Sequence, residues 1–466
     1  MKTKILWVVA GIILLGLLVS PVGAKKDDLY DHYETLTSVV DKIIDHYVVD
    51  VDREKLFYGA YAGMLQTLDP YSQFLPPVSK EDLEIDTKGE FGGVGIEITL
   101  DEHKILSVIT PLEGTPAFKA GVQSGDKIWK IEGKSTEGMS LTDAVKKLRG
   151  KRGTTVTITV IHNTDPRKPV DITITRDIIR IKSIIDVRLI DEKQKIGYIR
   201  MTQFQENTVV EMDKAIKSLI EQGMQALIID LRFNPGGLLD SAIEISDRFV
   251  NKGIIVSTKG RNDTSKKEYR SHGEATYPNF PIAVLVTGQS ASASEIVAGC
   301  LQDHKRAVII GSRTFGKGSV QTVLPLENGK TAMRLTTAYY YTPSGRLIHR
   351  KPDATEEDDW GIYPDVEVKM SPQEVVKLWQ EWRKRHLNEN RPPEETMKID
   401  ESKNEEPKKE AAPVDLPPLG EFEGDDIDAA PEQDKKAEEP FVDKPLEAAR
   451  LFLSGQLFTN QKVSVK

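Results

Sequence analysis

The stretch from Ala226 to Val250, ALIIDLRFNPGGLLDSAIEISDRFV, contains the pattern that decides the fold. Its first six residues, Ala226–Leu231, are mostly apolar and predict a buried strand. An Asn-Pro-Gly-Gly turn follows, and Leu238–Val250 is predicted to be a helix. A buried strand that passes through a tight turn into a helix is typical of α/β folds.

The same alternation continues on both sides of this stretch. Further strands are predicted at Ile196–Met201, Ile282–Val286 and Ala307–Ile310, with helices at Val209–Gln222 and Ser292–Asp303. We therefore expect a layered α/β core over residues 169–390. Upstream, apolar residues recur at helical spacing and predict a helical N-terminal region over residues 25–85.

Residues 86–168 predict a separate small domain. It opens with a glycine turn, Gly92-Gly93-Val94-Gly95, that leads into an alternating strand from Ile96. The order of strands, turns and one helix resembles a PDZ domain. Free backbone N–H groups of such a turn can hold a carboxylate, and the adjoining strand edge can pair with an extended peptide. Gly93, Val94, Gly95 and Ile96 are therefore candidate peptide-binding residues; the alternative is a tight hairpin turn without a ligand.

Charge is distributed unevenly along the 466 residues. The chain has 63 Lys and Arg against 72 Asp and Glu, a formal net charge of −9. This negative charge argues against a protein that binds nucleic acid through contacts with the phosphate groups. Between Pro392 and Pro445 there are 18 acidic and 7 basic residues. This Pro-rich composition predicts a disordered linker over residues 391–445, followed by a C-terminal helix and tail over residues 446–466, with the helix at Leu446–Leu457.

The N-terminus has the pattern of an export signal. Lys2 and Lys4 precede an apolar run from Ile5 to Val19, and small residues follow up to Ala24. Residues 1–24 therefore predict a cleaved signal peptide and a periplasmic or extracellular enzyme. The alternative is an uncleaved anchor, which would leave the protein associated with the membrane. The single cysteine of the chain, at position 300, excludes an internal disulfide framework.

The first segment with chemical potential is TGQSASASE, from Thr287 to Glu295. It joins an apolar strand to a helix, so a serine within it lies at a helix N-terminus, where developing negative charge is stabilised. That position suits a nucleophile with an adjacent oxyanion-binding amide. The alternative is an ordinary capping box, in which Ser292 and Glu295 satisfy the first N–H groups of the helix.

A second segment, FGKGSVQTV from Phe315 to Val323, predicts a strand that begins with glycines. Alternate side chains share one face of a strand, so Lys317 is expected close to Gln321, which can accept a hydrogen bond from it. A lysine acts as a general base only when neutral, which requires a lowered pKa. Burial beside Phe315 and Val320, away from carboxylates, would lower it. The alternative is a solvated surface lysine.

The Asn-Pro-Gly-Gly turn is the third segment. The amides of Gly236 and Gly237 are unobstructed by side chains and suit the second arm of an oxyanion hole, without a basis for choosing between them. The alternative is a plain strand-to-helix turn capped by Asn234, and Asp230 and Arg232 are assigned to structure.

Two other kinds of site are not expected. His304 would lie 12 residues along the same predicted helix as Ser292, about 18 Å away, which excludes a Ser–His–Asp arrangement. No His, Cys and Glu cluster has metal-ligand spacing, so neither a metal nor a cofactor is predicted.

Together these segments resemble the C-terminal processing peptidases, also called tail-specific proteases. The resemblance also covers Thr342–Arg346 and Gly361–Asp365, and it extends over about residues 30–370. It implies Ser292 as nucleophile, Lys317 as general base 25 residues later, and Gln321 as the residue that orients the lysine. The Ala293 N–H and the Gly236–Gly237 turn would form the oxyanion hole.

This resemblance implies a crotonase-like layered α/β peptidase core with N-terminal helices and an inserted PDZ domain. The implied activity is that of an exported serine endopeptidase that captures substrate C-termini on its PDZ domain and cleaves through an acyl-enzyme. Its partners would be proteins or peptides with free C-termini, while an adaptor, a homo-oligomer and membrane association are left open. The alternative function is a secreted, non-catalytic peptide-binding scaffold with a decayed hydrolase core. A third candidate is a crotonase-like acyl-transfer enzyme. It is disfavoured because such an enzyme would lack the PDZ segment.

Overall fold

The computed structural model describes residues 28–101, 103–162, 168–273, 277, 279–389 and 441–464. The predicted signal segment and most of the predicted linker fall outside the described residues. Within the described ranges, no helix is both long enough and apolar enough to cross a membrane. The chain forms two compact units, one from residues up to 77 with residues 323–335, and one from the remainder.

The first unit contains two helices and a short strand: α1 (Asp28–His46), α2 (Arg53–Gln66) and β1 (Gln73–Leu75). Asp52 starts α2, because its side chain accepts a hydrogen bond from Lys55 N at 3.2 Å. Strand β1 was not predicted from the helical spacing of this region. It pairs antiparallel with residues 332–334, and its Phe74 packs against rings of α2.

The small domain of the second unit is mainly antiparallel β-structure. Its elements are α3 (Pro77–Lys88), β2 (Glu90–Gly93), β3 (Ile96–Leu100), β4 (Leu106–Pro111), α4 (Pro116–Lys119), β5 (Lys127–Ile131), β6 (Lys134–Ser135), α5 (Leu141–Leu148), β7 (Thr155–Ile161), β8 (Pro169–Thr175) and β9 (Asp177–Arg180). The sheet order is β3-β4-β5-β7-β8, and β2 pairs with β9. Strand β3 is therefore an edge strand.

Alternation of buried and exposed side chains along β7 places Val156, Ile158 and Val160 in the core of this domain, fully buried. Strand β8 pairs with β7 from Pro169 to Thr175. The sheet therefore extends beyond residue 168, where the sequence placed the end of the domain, because β8 supplies Ile172 and Ile174 to the same core.

The α/β core follows. Its elements are β10 (Ile184–Asp191), β11 (Ile196–Met201), α6 (Thr208–Glu221), β12 (Ala226–Asp230), α7 (Leu239–Asp247), β13 (Ile254–Gly260), β14 (Lys267–Arg270), β15 (Ile282–Val286), α8 (Ala293–Asp303), β16 (Val308–Gly311), β17 (Ser319–Leu326), β18 (Thr331–Tyr341), β19 (Val366–Glu367), α9 (Pro372–Glu389) and α10 (Lys444–Ser464).

Six strands form the central sheet, in the order β10-β11-β12-β15-β16-β19. All neighbours are parallel except β10 and β11. Strands β12 and β15 are buried along their whole length, as expected for a parallel sheet covered on both faces. Helices α6, α7 and α8 supply apolar side chains to one core of this sheet. This arrangement confirms the predicted α/β class and brings the turns after β12 and β15 to one sheet edge.

A second core involves α10, which supplies the buried side chains of Ala449 and Leu453. They pack with Tyr198, Ile228 and Leu285 of the central sheet. The predicted C-terminal helix is therefore present but longer than Leu446–Leu457, and the described residues resume within the predicted linker, at residue 441.

Candidate active site

The turn after β15 contains three serines whose hydroxyl groups differ in environment. Ser290 Oγ donates to Leu231 O at 2.7 Å, and Ser294 Oγ donates to Asn234 O at 3.0 Å. Both of these side chains are completely buried. Ser292 is half-buried, and among the described residues its hydroxyl makes no hydrogen bond. Of the three serines, Ser292 is thus the one whose hydroxyl is available for chemistry.

Ser292 has an unusual backbone conformation. Its φ of 57° and ψ of −113° place it outside the regions that non-glycine residues normally adopt. Such a conformation costs about 1–3 kcal/mol and is found most often at functional sites. Ser292 N donates to Glu295 Oε2 at 2.8 Å, while Glu295 N donates to the Ser292 carbonyl at 2.9 Å. Glu295 therefore caps this helix, as the capping alternative expected.

Lys317 lies in the loop before β17, since that strand begins at Ser319. Lys317 therefore lies outside the strand that was expected to include it. The two glycines that flank it are closely approached by other parts of the chain. Gly316 has a φ of +86°, and a Cβ at this position would lie 2.9 Å from the Trp360 ring. A Cβ on Gly318 would lie 2.6 Å from His349 N.

Glu295 connects the two segments. Its Oε2 accepts hydrogen bonds from Ser292 N and from Lys317 N, both at 2.8 Å. Its Oε1 accepts from Thr314 Oγ1 at 2.6 Å and from Gly316 N at 2.7 Å. One carboxylate oxygen is thus shared by the backbone of the candidate nucleophile and the backbone of the candidate base. This contact brings the two segments together.

The side chain of Glu295 is fully buried. Burial raises its pKa, while the hydrogen bonds from Thr314, Gly316, Ser292 and Lys317 act in the opposite direction. Sequence reasoning recognised Glu295 as a helix cap and missed its contact with the lysine loop. The backbone of Lys317 lies against the Glu295 carboxylate, and Phe315, 45% exposed, does not form a buried apolar wall.

Gln321 lies on β17, and its side chain is partly buried. Its Nε2 donates to Ser319 Oγ at 2.9 Å and to Thr336 Oγ1 at 3.3 Å. These two bonds fix the orientation of the amide. The hydrogen bond from Lys317 to Gln321 stays a prediction.

The Asn-Pro-Gly-Gly turn packs directly against the serine turn. Ala291 N donates to Asn234 O at 3.0 Å. Gly236 has a φ of +102°, and a Cβ added to it would lie 2.7 Å from Ser292 Cβ and 2.9 Å from Ala293 N. Only a residue without a side chain fits at this point of contact.

The side chain of Asn234 distinguishes the two glycines. Asn234 Nδ2 donates to Met201 O at 2.8 Å, and Asn234 Oδ1 accepts from Gly236 N at 2.9 Å. The Gly236 amide is therefore already occupied. Among the described residues, Gly237 N and Ala293 N make no hydrogen bond. Asn234 does not cap the following helix, whose N-cap residue is Leu238.

Asp230 and Arg232 lie beneath this turn, and both side chains are fully buried. Arg232 Nη2 donates to Asp230 Oδ2 at 2.7 Å. Burial alone would lower the pKa of Arg232, but Asp230 and Asp443 outweigh it and hold that pKa well above its usual value. The pair has the structural role expected for it.

His304 lies at the C-terminal end of α8, at the opposite end from Ser292. Its ring nitrogen Nε2 contacts Ile254 O at 2.7 Å. This location agrees with its exclusion as a catalytic base.

In the small domain, the turn between β2 and β3 borders a cavity of about 200 Å³. The cavity is mostly apolar and is lined by Phe91, Gly93, Val94, Gly95, Ile96, Ile98, Leu141, Val145, Leu148 and Arg149. The carbonyls of Val94 and Gly95 accept hydrogen bonds from Ala117 N and Leu112 N. Within the part of the chain that the structure describes, their N–H groups make none. The cavity therefore combines free amides, an edge strand and an apolar helix face.

Three segments match known protein families. Residues 195–368 match peptidase family S41, residues 83–161 match the PDZ domain, and residues 20–77 match the N-terminal domain described for the activating protease CtpB.

Several characterised proteins are similar over most of their length. A carboxy-terminal-processing protease of Bartonella bacilliformis is 42% identical over 386 residues, which cover 81% of this chain and 85% of that protein. The carboxy-terminal processing protease CtpA of Bacillus subtilis is 34% identical, over 75% of this chain and 72% of that protein. Among solved structures, a photosystem II D1 C-terminal processing protease is 32% identical with a TM-score of 0.41, covering 69% of this chain and 84% of that one.

Proposed function

The chain belongs to the carboxyl-terminal-processing proteases of peptidase family S41, serine peptidases with a PDZ domain, and on this premise we propose that Ser292 is its nucleophile and Lys317 its general base. One observation carries this assignment: Ser292 N and Lys317 N donate to the same oxygen of the buried Glu295. Among the three serines of the turn, Ser292 alone has an uncommitted hydroxyl.

The chemistry proceeds in two steps. Neutral Lys317 takes the proton of Ser292 Oγ as this oxygen attacks the carbonyl carbon of the scissile peptide bond. The resulting ammonium group then donates its proton to the departing amine, which leaves an acyl ester on Ser292. A water molecule attacks this ester, with Lys317 again accepting the proton. When the tetrahedral intermediate collapses, the lysine ammonium returns that proton to Ser292 Oγ, and the product leaves as a carboxylic acid that ionises in solvent.

The negative charge of each tetrahedral intermediate develops on the former carbonyl oxygen. We assign its stabilisation to Gly237 N–H and Ala293 N–H, because both are uncommitted and lie on the two turns that pack together around Ser292. Gly236 contributes its lack of a side chain, which permits that packing. To Gln321, whose amide is held by Ser319 and Thr336, we assign the role of orienting the lysine side chain.

Substrate capture is assigned to the small domain. The terminal carboxylate of an extended chain would accept hydrogen bonds from Val94 N and Gly95 N, and the chain would pair with the free edge of β3. Apolar side chains near the terminus would enter the cavity between β3 and α5. This geometry favours substrates whose C-terminal residues are unstructured, apolar and not blocked.

Two substrates that differ only at the C-terminus test this proposal. We expect the chain lacking residues 1–24 to hydrolyse an unstructured polypeptide with a free apolar C-terminus. The same polypeptide with an amidated C-terminus should have a kcat/KM lower by about 10-fold to 100-fold, since hydrogen bonds to a charged group contribute roughly 1.5–3 kcal/mol. Equal kcat/KM values would contradict capture by the small domain. Absence of hydrolysis with both substrates would support the scaffold alternative.

We also propose that the protein acts outside the cytoplasm, on the basis of the basic and apolar pattern of residues 1–24. N-terminal sequencing of the protein from its natural host should show a chain that begins at Lys25 in the non-cytoplasmic fraction. A chain that begins at Met1 in the membrane fraction would support the anchor alternative, and one in the cytosol would refute export. An adaptor and a homo-oligomer stay predictions.

A further inference from the structure

The segment from residue 441 to residue 464 is attached to the catalytic core by both apolar and ionic contacts. Ala449 and Leu453 of α10 are fully buried against the central sheet. Arg450 forms an ion pair with Asp191 of β10, at 3.2 Å. The segment is thus a component of the core, although residues 390–440 separate it from α9 along the chain.

Asp443, immediately before α10, forms the innermost of these contacts. Its Oδ1 accepts from Arg232 Nη1 at 2.7 Å and its Oδ2 accepts from Arg232 Nη2 at 2.9 Å. This is a two-point contact, the geometry that best fixes the plane of a guanidinium group. Arg232 is held on another edge by Asp230, through Nε and Nη2. Two carboxylates from distant parts of the chain therefore fix one fully buried guanidinium.

Arg232 directly precedes the strained part of the oxyanion turn. Phe233, the next residue, has a φ of +61°, which is costly for a residue with a side chain. Its ring packs against Trp379 and Trp382 of α9, at centroid distances of 5.1 and 5.8 Å. The Arg232 guanidinium lies 5.3 Å from the Trp382 ring centroid. The turn is therefore supported by both segments that flank residues 390–440.

We propose that Asp443 is a positioning residue for the oxyanion turn, acting through Arg232, so that the C-terminal segment takes part in catalysis. This inference rests on the proposed function of Gly237 N–H. Without the second carboxylate, Nη1 of a buried guanidinium loses its charged acceptor, and the side chain can rotate about its contact with Asp230. Because Phe233 and Asn234 follow in the chain, that movement reaches the donors aimed at the developing oxyanion, where small displacements have large effects on rate.

Asp443→Asn in the full chain removes the negative charge of this side chain and keeps its size. Asp443 also caps α10, because its Oδ1 accepts from Leu446 N at 3.3 Å, and asparagine caps helices about as well as aspartate. We expect kcat to fall roughly 10-fold to 100-fold, with KM and the affinity for a C-terminal peptide unchanged. The measurement is made well below the melting temperature of the variant. Asp443→Glu keeps the negative charge on a side chain that is one methylene longer, and this variant should retain part of the kcat that Asp443→Asn loses.

Lys444→Gln is the matched control. Lys444 is the adjacent residue and pairs with Glu374 at 2.6 Å, but it does not contact Arg232. Its loss should leave kcat within about twofold of the unmodified chain, as expected for an exposed pair. A kcat for Asp443→Asn within twofold of the unmodified chain would overturn the proposal, as would equal losses in both variants.

A failure of the dyad proposal has a different signature, because Ser292→Ala would then hydrolyse substrate as fast as the unmodified chain. If Asp443→Asn does not fold, Asp443→Glu tests the positioning role in its place. A several-fold lower kcat with unchanged KM supports the positioning role, and an unchanged kcat overturns it.

Discussion

Ser292→Ala and Lys317→Ala should each reduce kcat for peptide hydrolysis by at least about 10⁴-fold, because each removes a member of a unit that acts together. The serine variant loses the atom that forms the acyl ester. The lysine variant leaves that atom without an acceptor for its proton. The measurement is single-turnover cleavage of an unstructured polypeptide with a free C-terminus, and the melting temperature of each variant should confirm that it is folded.

Lys317→Arg is the sharper test of the role of the lysine. Arginine keeps the positive charge and much of the length of the side chain, but it does not lose its proton in proteins. We therefore expect it to be as inactive as Lys317→Ala. Substantial hydrolysis by Lys317→Arg would mean that position 317 contributes a charge and that the base is another group. Hydrolysis that survives in Ser292→Ala would mean that the nucleophile is misassigned.

Gly236→Ala should have the second largest effect. The added Cβ would lie 2.7 Å from both Ala291 O and Ser292 Cβ, and neither atom belongs to a flexible side-chain end. We expect kcat to fall by at least about 10²-fold, because the two turns that bear the oxyanion donors are pushed apart. The thermal stability should fall as well, since the backbone at this residue has a φ of +102°.

Gly223→Ala separates the cost of the backbone conformation from the clash. Gly223 has a φ of +89°, and a Cβ added there meets no atom within 4 Å. This variant should lose about 1 kcal/mol of stability and keep its activity. If Gly236→Ala behaves like Gly223→Ala in both assays, the two turns do not need their close contact for catalysis.

The repeated strand–turn–helix units and the three functional segments could be predicted because their signals are local. Strand Ile282–Val286 is apolar throughout, and the serine turn follows it directly, so the approximate place of Ser292 follows from a short stretch of sequence. The small domain is similarly evident from the glycine turn before Ile96 and from the alternation along β7.

Features that depend on contacts between distant residues could not be predicted. The proposal of Gly237 over Gly236 as oxyanion donor depends on the orientation of the Asn234 side chain, which accepts a hydrogen bond from Gly236 N. The close approach of Trp360 and His349 to the two glycines that flank Lys317 joins segments that are distant in the sequence. The partner of Arg232 lies 211 residues away, in a segment whose composition indicated a disordered linker.

The location of α10 has a consequence for the order in which the fold is completed. Residues 441–464 follow the strands of the central sheet along the chain, and until they dock, one face of that sheet lacks the side chains of Ala449 and Leu453. A chain in which this segment has not docked therefore carries an uncovered apolar surface and an Arg232 without its second carboxylate. Docking of this segment covers the sheet and pairs the guanidinium in the same step.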